Sequence, residues 1–231
     1  MKPFFFWDDE RIRFFDDAAS YGDYYDRLAN ALAPWLQPDD HVLDAGCGLG
    51  YLSQALSPYC AQVTALDQDP LAIESLRLRN TCQSVHPVCA DAFTYAAQCD
   101  TLVCCRFGGA DQALALKAHF RAQTLLLVTR QEAHHRFSNS TCSRRRTVAT
   151  ACAILDAAHV PYTQFSLELP FDQPFRSLSD AMAFFQSYRG DDTAASVTAD
   201  AAAKRLQTTG DATFPYLLPV TNRLGVLVVK E

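Results

Sequence analysis

The sequence predicts an α/β fold, with a mainly parallel sheet carrying helices on both faces. Three observations carry that prediction. From residue 39 onward, short apolar runs alternate with helical patterns across short connections. The stretch Val42-Leu43-Asp44-Ala45-Gly46-Cys47-Gly48-Leu49-Gly50 reads as a strand, a tight turn and the start of a helix. Asp44, Asp67, Asp91 and Arg106 each fall where an apolar run ends, and open α/β sheets bind ligands beyond those strand ends.

Composition bounds the rest. The chain has 231 residues, 49% hydrophobic and 20% charged. That suits one well-buried core over 1–231 and is short for two full domains. A net charge of -6 argues against a broad basic surface for nucleic acid. No apolar run approaches the roughly 20 residues of a membrane span. The start, MKPFFFWDDERIR, puts acids directly after aromatics and does not read as a signal peptide, so a cytoplasmic location is expected. The nine cysteines form no C-x-x-C pair and read as buried, reduced thiols. Ligation of a soft substrate such as arsenic is the alternative, and it needs several of them to converge outside the core. No metal site is expected, because adjacent His134 and His135 have no carboxylate-His spacing beside them.

Residues 1–38 predict two helices, roughly 8–19 and 21–34. Ile12, Phe15 and Ala19, then Tyr24, Leu28 and Leu32, recur at helical spacing. Ser20-Tyr21-Gly22-Asp23 forms the turn between them. The strand ending at Ala45 then meets glycines at positions 46, 48 and 50. Glycine belongs where backbone approaches a ligand or takes positive φ, and the following helix aims its first N–H groups at the same place. The pattern is neither G-x-G-x-x-G nor a P-loop. Asp44 would repel a pyrophosphate and suits a cationic ligand. Next come a helix from Tyr51 to Leu56 and a strand over Gln62–Leu66, ending in Asp67-Gln68-Asp69-Pro70. Asp67 follows Asp44 by 23 residues, close to the spacing of the ribose-binding acid in nucleoside-binding α/β folds. Asp69 reads as an N-cap before Pro70 at the first helical position. That helix runs to Arg79, and a short strand, His86–Ala90, leads to Asp91-Ala92-Phe93.

The run DAGCGLG after an apolar strand resembles the first motif of class I S-adenosylmethionine-dependent methyltransferases, and the resemblance extends over 39–130. It implies a Rossmann-like seven-stranded sheet with an antiparallel last strand. It also implies S-adenosyl-L-methionine as cofactor and methyl transfer by in-line displacement. The cofactor residues it implies are Asp44, Gly46, Cys47 and Gly48 at the amino-acid end, Asp67 on the ribose with Gln68 beside it, and Asp91 with the Ala92 N–H on the adenine. Cys105, at the end of the next strand, joins them. The chain then divides into an N-terminal helical lid (1–38), a cofactor-binding core (39–169), a variable substrate element (170–213) and closing strands (214–231).

Asp100–Cys105 is the fourth strand and enters Arg106-Phe107-Gly108-Gly109. Arg106 either forks onto a substrate carboxylate or phosphate or braces the turn through a salt bridge. There is no N-P-P-Y, D-P-P-Y or Pro-Cys here, so nothing points to a base amine, a glutamine amide or cytosine. A helix from about Gly109 to Arg121 and a strand over Leu125–Thr129 follow. The basic stretch through Arg144-Arg145-Arg146 reads as a solvated loop and the first turn of a helix over 145–158, with an anion site as the minority reading. His134 is a candidate general base. A sixth strand, Tyr162–Leu169, leads to helices over 177–188 and 198–208. Phe184, Phe185 and Tyr188 there suit an acceptor pocket and helical packing equally. Phe214–Val220 and Leu224–Lys230 read as two strands joined by Thr221-Asn222-Arg223 in a hairpin-like finish.

The acceptor-side candidates are thus Tyr21, Arg106 and His134. The acidic charge and the aromatic N-terminal segment favour a small-molecule acceptor over nucleic acid, while a peptide acceptor stays open. Two other readings remain: a non-catalytic partner subunit that binds the cofactor, and an aminopropyl transferase on the same scaffold.

Overall fold

The computed structural model describes residues 7–132, 146–188 and 198–230. Helices α1 (Asp9–Tyr21) and α2 (Tyr24–Leu32) precede strand β1 (His41–Ala45). Then follow α3 (Tyr51–Leu56), β2 (Gln62–Asp67), α4 (Pro70–Arg79), β3 (Val85–Cys89), β4 (Thr101–Cys105), α5 (Ala110–Phe120), β5 (Thr124–Arg130), α6 (Val148–Ala157) and β6 (Thr163–Pro170). The last third holds β7 (Gln173–Phe175), α7 (Leu178–Ser187), α8 (Ala199–Ala203), β8 (Gln207–Thr208), β9 (Tyr216–Leu218) and β10 (Thr221–Lys230).

Seven strands form one sheet in the order β3-β2-β1-β4-β5-β10-β6. β10 is antiparallel to both neighbours, and the other pairings are parallel. Its strands alternate between two apolar clusters, as strands covered on both sides should. Val42, Val63, Val103, Leu126 and Val226 face one way, toward Leu28 of α2, Leu52 and Leu56 of α3 and Leu76 of α4. Leu43, Leu66, Leu102, Leu127 and Leu227 face the other, toward Leu116 and Phe120 of α5 and Leu155 of α6. The strand order reverses between β1 and β4, so the turn after β1 sits at the switch point of the sheet, where such sheets bind ligands.

A second, three-stranded sheet has the order β7-β9-β8. Its core joins Phe175 and Leu218 to Phe184 and Phe185 of α7, Ala202 of α8 and Phe14 of α1. Phe184 and Phe185 are therefore packing residues, buried to 1% and 3% exposure. This sheet is inserted between the end of β6 and the start of β10. Both points lie at the sheet edge that also carries the ends of β1 to β5. Arg176 makes a bidentate pair with Asp17, and Arg13 bonds Asp180 at 2.6 Å. These clasps tie α1 to the end of β7 and to α7, while Asp16 of α1 meets Tyr51 of α3 and Arg79 of α4 on the large-sheet side.

Two sequence expectations are corrected. The stretch 198–208 is helical only over Ala199–Ala203 and then becomes β8; the helix stops where Ala gives way to Lys204 and Arg205, and Gln207 and Thr208 take strand pairing instead. The closing hairpin does not exist. Tyr216–Leu218 pairs with β7 and β8, and Thr221-Asn222-Arg223 is the first part of a ten-residue β10. Its polar residues mimic a turn, yet Asn222 points into the core at 4% exposure, while Arg223 faces Glu168 and Glu132 on the surface.

Gly225 is the tightest point of β10. A β-carbon added there would lie 2.3 Å from Cγ2 of Val148, at the start of α6. Val148 is β-branched and stiff, so Gly225→Ala is expected to destabilise the fold by about 1–3 kcal/mol. Urea unfolding monitored by circular dichroism checks this, and an unchanged midpoint would contradict it.

Candidate functional site

The site is built on the turn after β1. Gly46, Gly48 and Gly50 all have positive φ, at 70°, 54° and 73°. The Gly46 and Cys47 N–H groups donate to the Leu66 carbonyl at 2.8 and 3.1 Å, which anchors the turn to β2. Gly50 is the N-cap of α3 in the left-handed conformation. A β-carbon at Gly46 would overlap the Phe107 ring, which comes from the turn after β4. Two turns from different strands thus close on each other here, and only glycine lets them.

Three carboxylates organise the space above. Asp44 is 1% exposed and accepts from Ser53 Oγ at 2.6 Å. Burial pushes its pKa up to about 6; the Ser53 hydrogen bond opposes this and the nearby Asp67 charge adds to it. Asp67 Oδ2 accepts from Gly48 N–H at 2.8 Å, and Oδ1 from Asp69 N–H at 2.9 Å. Its pKa is also raised by burial, against the pull of those two donors. Asp69 Oδ1 caps α4 through Leu71 and Ala72 N–H, as its position before Pro70 predicts. Its other oxygen, Oδ2, accepts from Trp7 N–H at 3.1 Å. The buried Asp44 and the half-buried Asp67, both pushed toward the neutral form, favour a cation beside them.

The remaining sequence candidates divide. Asp91 follows β3 and is exposed, with Oδ1 accepting from Phe93 N–H at 2.9 Å; Ala92 beside it is buried. Gln68 is exposed, and its carbonyl accepts from the Cys89 thiol. Cys47 and Cys105 lie on the side of the sheet that packs against α2 and α3. Burial pushes both thiols up, Cys105 to about 12, so neither is a nucleophile at neutral pH. Arg106 has positive φ, 57°, and its N–H donates to the Val128 carbonyl. Among the described residues it makes no ion pair, so the bracing reading is not supported.

Tyr21 is not brought to this site. It ends α1 and packs edge-on against Phe214 at 6.0 Å. The other end of α1 approaches the turn: Trp7, 14 residues earlier, which at a helical rise of 1.5 Å per residue places Tyr21 about 20 Å away. His134 lies outside the described residues, as do Arg144 and Arg145 of the basic run. Trp7, Ser53 and Phe107 are the residues at the turn that sequence reasoning missed.

Comparison with known proteins agrees with this geometry. A protein-family model described as a methyltransferase domain matches residues 42–126, from β1 into β5. Over those residues the chain is similar to methyltransferases, as the resemblance of its glycine motif implies. A ribosomal protein L11 methyltransferase of Geobacillus kaustophilus (strain HTA426) is 51% identical over 49 residues, which is 21% of this chain and 16% of that protein. The matched part is thus about a sixth of that relative. Magnesium protoporphyrin IX methyltransferase of Synechocystis PCC 6803, solved with bound S-adenosylhomocysteine, shares the fold at TM-score 0.53 and 15% identity, over 97% of this chain and 100% of that one. A Deinococcus radiodurans R1 protein of unknown function does so at TM-score 0.55 and 15% identity, over 96% and 99%. The seven-stranded order with antiparallel β10 is that of the expected fold class.

Proposed function

We propose that the protein transfers the methyl group of S-adenosylmethionine to a small-molecule acceptor. One observation carries the reading: at the switch point, a turn of three positive-φ glycines lies beside the buried Asp44 and the half-buried Asp67. The fit to this cofactor is chemical. Asp44 and Asp67 need a positive partner, and a sulfonium with an ammonium group is one. Gly46, Cys47 and Gly48 would cradle the amino-acid end. Asp67, already fixed by two backbone donors, keeps lone pairs for a ribose diol. Beyond β3, the Ala92 N–H and the Asp91 carboxylate would meet the adenine edge, with Gln68 alongside.

The cofactor supplies an already activated methyl group when bound. The chain's part is therefore to orient and enclose. Phe107 and the Cys105 end of β4 wall the turn from the acceptor side. The small sheet and α7, clasped to α1 by Arg176–Asp17 and Arg13–Asp180, are inserted between the end of β6 and the start of β10. A chain charge of -6 supports a small acceptor over nucleic acid. Arg106, in the turn after β4, would fork onto an acidic group of that acceptor. Among the described residues no helix is long and apolar enough to cross a membrane. A reducing cytoplasmic setting accords with the eight described cysteines all being free thiols.

Calorimetric titration with S-adenosylmethionine and S-adenosylhomocysteine tests the reading, with decarboxylated donor as control. Micromolar binding of the first two is the expected result. Asp67→Ala is expected to weaken both at least tenfold, the scale of losing a charged hydrogen-bond partner. Unchanged affinity in that variant would remove Asp67 from the ribose, and no binding by the folded wild-type chain would remove the reading itself.

A further inference from the structure

The glycine turn is held from outside by the far end of a helix whose near end already serves the site. α4 is capped by Asp69, whose N–H holds Asp67 Oδ1. It ends at Arg79, and Arg79 Nη2 donates to the Leu49 carbonyl, within the turn, at 2.8 Å. A bond from a guanidinium to a carbonyl is charge-assisted and stronger than a neutral one. Leu49 lies between Gly48 and Gly50, both at positive φ, and backbone flanked by glycines has little stiffness of its own. The peptide joining Leu49 to Gly50 is nevertheless held at both ends. Its N–H donates to the Cys47 carbonyl at 3.0 Å, and its oxygen accepts from Arg79. Leu76, also of α4, packs against the same place: a β-carbon on Gly50 would lie 2.5 Å from its Cδ1.

The guanidinium is aimed by its neighbours. Its Cζ sits 4.2 Å from the centre of the Tyr51 ring, at the start of α3. Tyr51 OH donates to Asp16 Oδ1 at 3.0 Å, and Arg79 Nε lies 3.7 Å from that same oxygen. Nε is buried and finds no hydrogen-bond acceptor among the described residues. An ion pair this long, with both side chains partly exposed, adds little to stability. The cluster therefore sets the direction of Nη2 more than it strengthens the fold. We propose that Arg79 is a positioning residue for the cofactor turn. By holding the Leu49 carbonyl toward α4, it fixes the backbone that presents Gly46–Gly48 to the amino-acid end of the cofactor. The proposal rests on the reading that this turn holds S-adenosylmethionine. A site that binds through its backbone needs that backbone held to within about 0.5 Å, and Arg79 acts through Leu49 rather than by touching the ligand.

The test compares wild type with two variants. Arg79→Met keeps the apolar stem and removes every donor; Arg79→Lys keeps the charge and a donor but not the planar fork. Calorimetry reads the binding of S-adenosylmethionine and S-adenosylhomocysteine, thermal melting reads stability, and hydrogen exchange over residues 46–50 of the ligand-free protein reads the turn itself. Arg79→Met is expected to weaken both ligands about tenfold or more and to shift the melting temperature by less than about 4 °C. Exchange is expected to quicken over 46–50 and to stay unchanged in β4 and β5. Arg79→Lys is expected to lie between the two, and it carries the test alone if Arg79→Met does not fold. Unchanged affinity would overturn the proposal. So would a loss of affinity with faster exchange across the whole sheet, which would make Arg79 a support of the fold. A loss of affinity without faster exchange over 46–50 would put Arg79 on the ligand itself and overturn it too. If wild type binds neither ligand, the cofactor reading fails and the proposal falls with it. If wild type binds both and only the Arg79 contrast is missing, the proposal alone fails.

Discussion

Replacing Gly46 with alanine is expected to abolish cofactor binding and to lower the melting temperature by about 5–10 °C. The backbone at Gly46 has φ 70°, a region that costs an alanine on the order of 1 kcal/mol. The larger cost is steric. The new methyl would sit 2.2 Å from Cδ2, 2.4 Å from Cγ and 2.8 Å from Cβ of Phe107. Rotating the ring relieves the first of these contacts but not the last, because Cβ is fixed to the backbone. That backbone is itself constrained, with Arg106 N–H on the Val128 carbonyl and positive φ at both Arg106 and Gly108. Overpacking of this kind costs about 1–3 kcal/mol, and for a chain of this size each kcal/mol lowers the melting temperature by about 2–4 °C. The two turns would be forced apart where the cofactor is to lie, so affinity is expected to fall more than a hundredfold, a greater relative effect than the loss of stability. Differential scanning fluorimetry and calorimetric titration of the same preparation check both parts. A variant that melts like wild type and still binds would show that the β4 turn yields freely and that the Phe107 contact does not shape the site.

The contrast between what was legible and what was not follows from how local each signal is. β1, its glycine turn, β2 with Asp67 and the Asp69–Pro70 helix start are all written in contiguous residues, so their register could be read from apolar runs and caps. The order of the sheet follows from the same runs, because short right-handed crossovers leave few alternatives. Trp7 could not be read this way. Its place is set by a hydrogen bond to a residue 62 positions away, and in sequence it is one aromatic among many. Phe107 was invisible as a partner of Gly46 for the same reason. Ser53 did leave a signal: a single hydroxyl between Leu52 and Leu56 on the buried side of α3, which is the mark of a buried polar group needing a partner. The failed hairpin at Thr221–Arg223 shows the opposite hazard. Three polar residues resembled a turn, but Asn222 is inside, with an amide nitrogen that finds no partner among the described residues. No propensity rule predicts such a residue within a strand.

Asp44→Asn is expected to stabilise the ligand-free protein at pH 8 while weakening its hold on the cofactor. The carboxyl of Asp44 is raised by burial to about 6 from an ordinary 3.8. A carboxylate raised in the folded state works against folding wherever it is charged. Below the unfolded value both states carry the proton and nothing is lost. Between 3.8 and about 6 the folded state binds more protons than the unfolded one, so stability falls as pH rises. Above that window the full cost remains, about 3 kcal/mol from the difference in pKa. Asparagine removes the charge and still offers Oδ1 to the Ser53 hydroxyl, so the local packing survives. The ligand-free variant is therefore expected to melt about 5–10 °C higher than wild type at pH 8 and to show no advantage near pH 4. Against S-adenosylmethionine it is expected to lose affinity roughly 30-fold, or about 2 kcal/mol, because the buried charge that costs the empty protein is the charge that meets the cation. Thermal melts across pH 4 to 8 with and without cofactor separate the two effects. A variant no more stable than wild type at pH 8, or one equally stabilised at pH 4, would show that Asp44 carries no buried charge when the site is empty. A stabilised variant that binds as tightly as wild type would show that the cation is met by Asp67 instead.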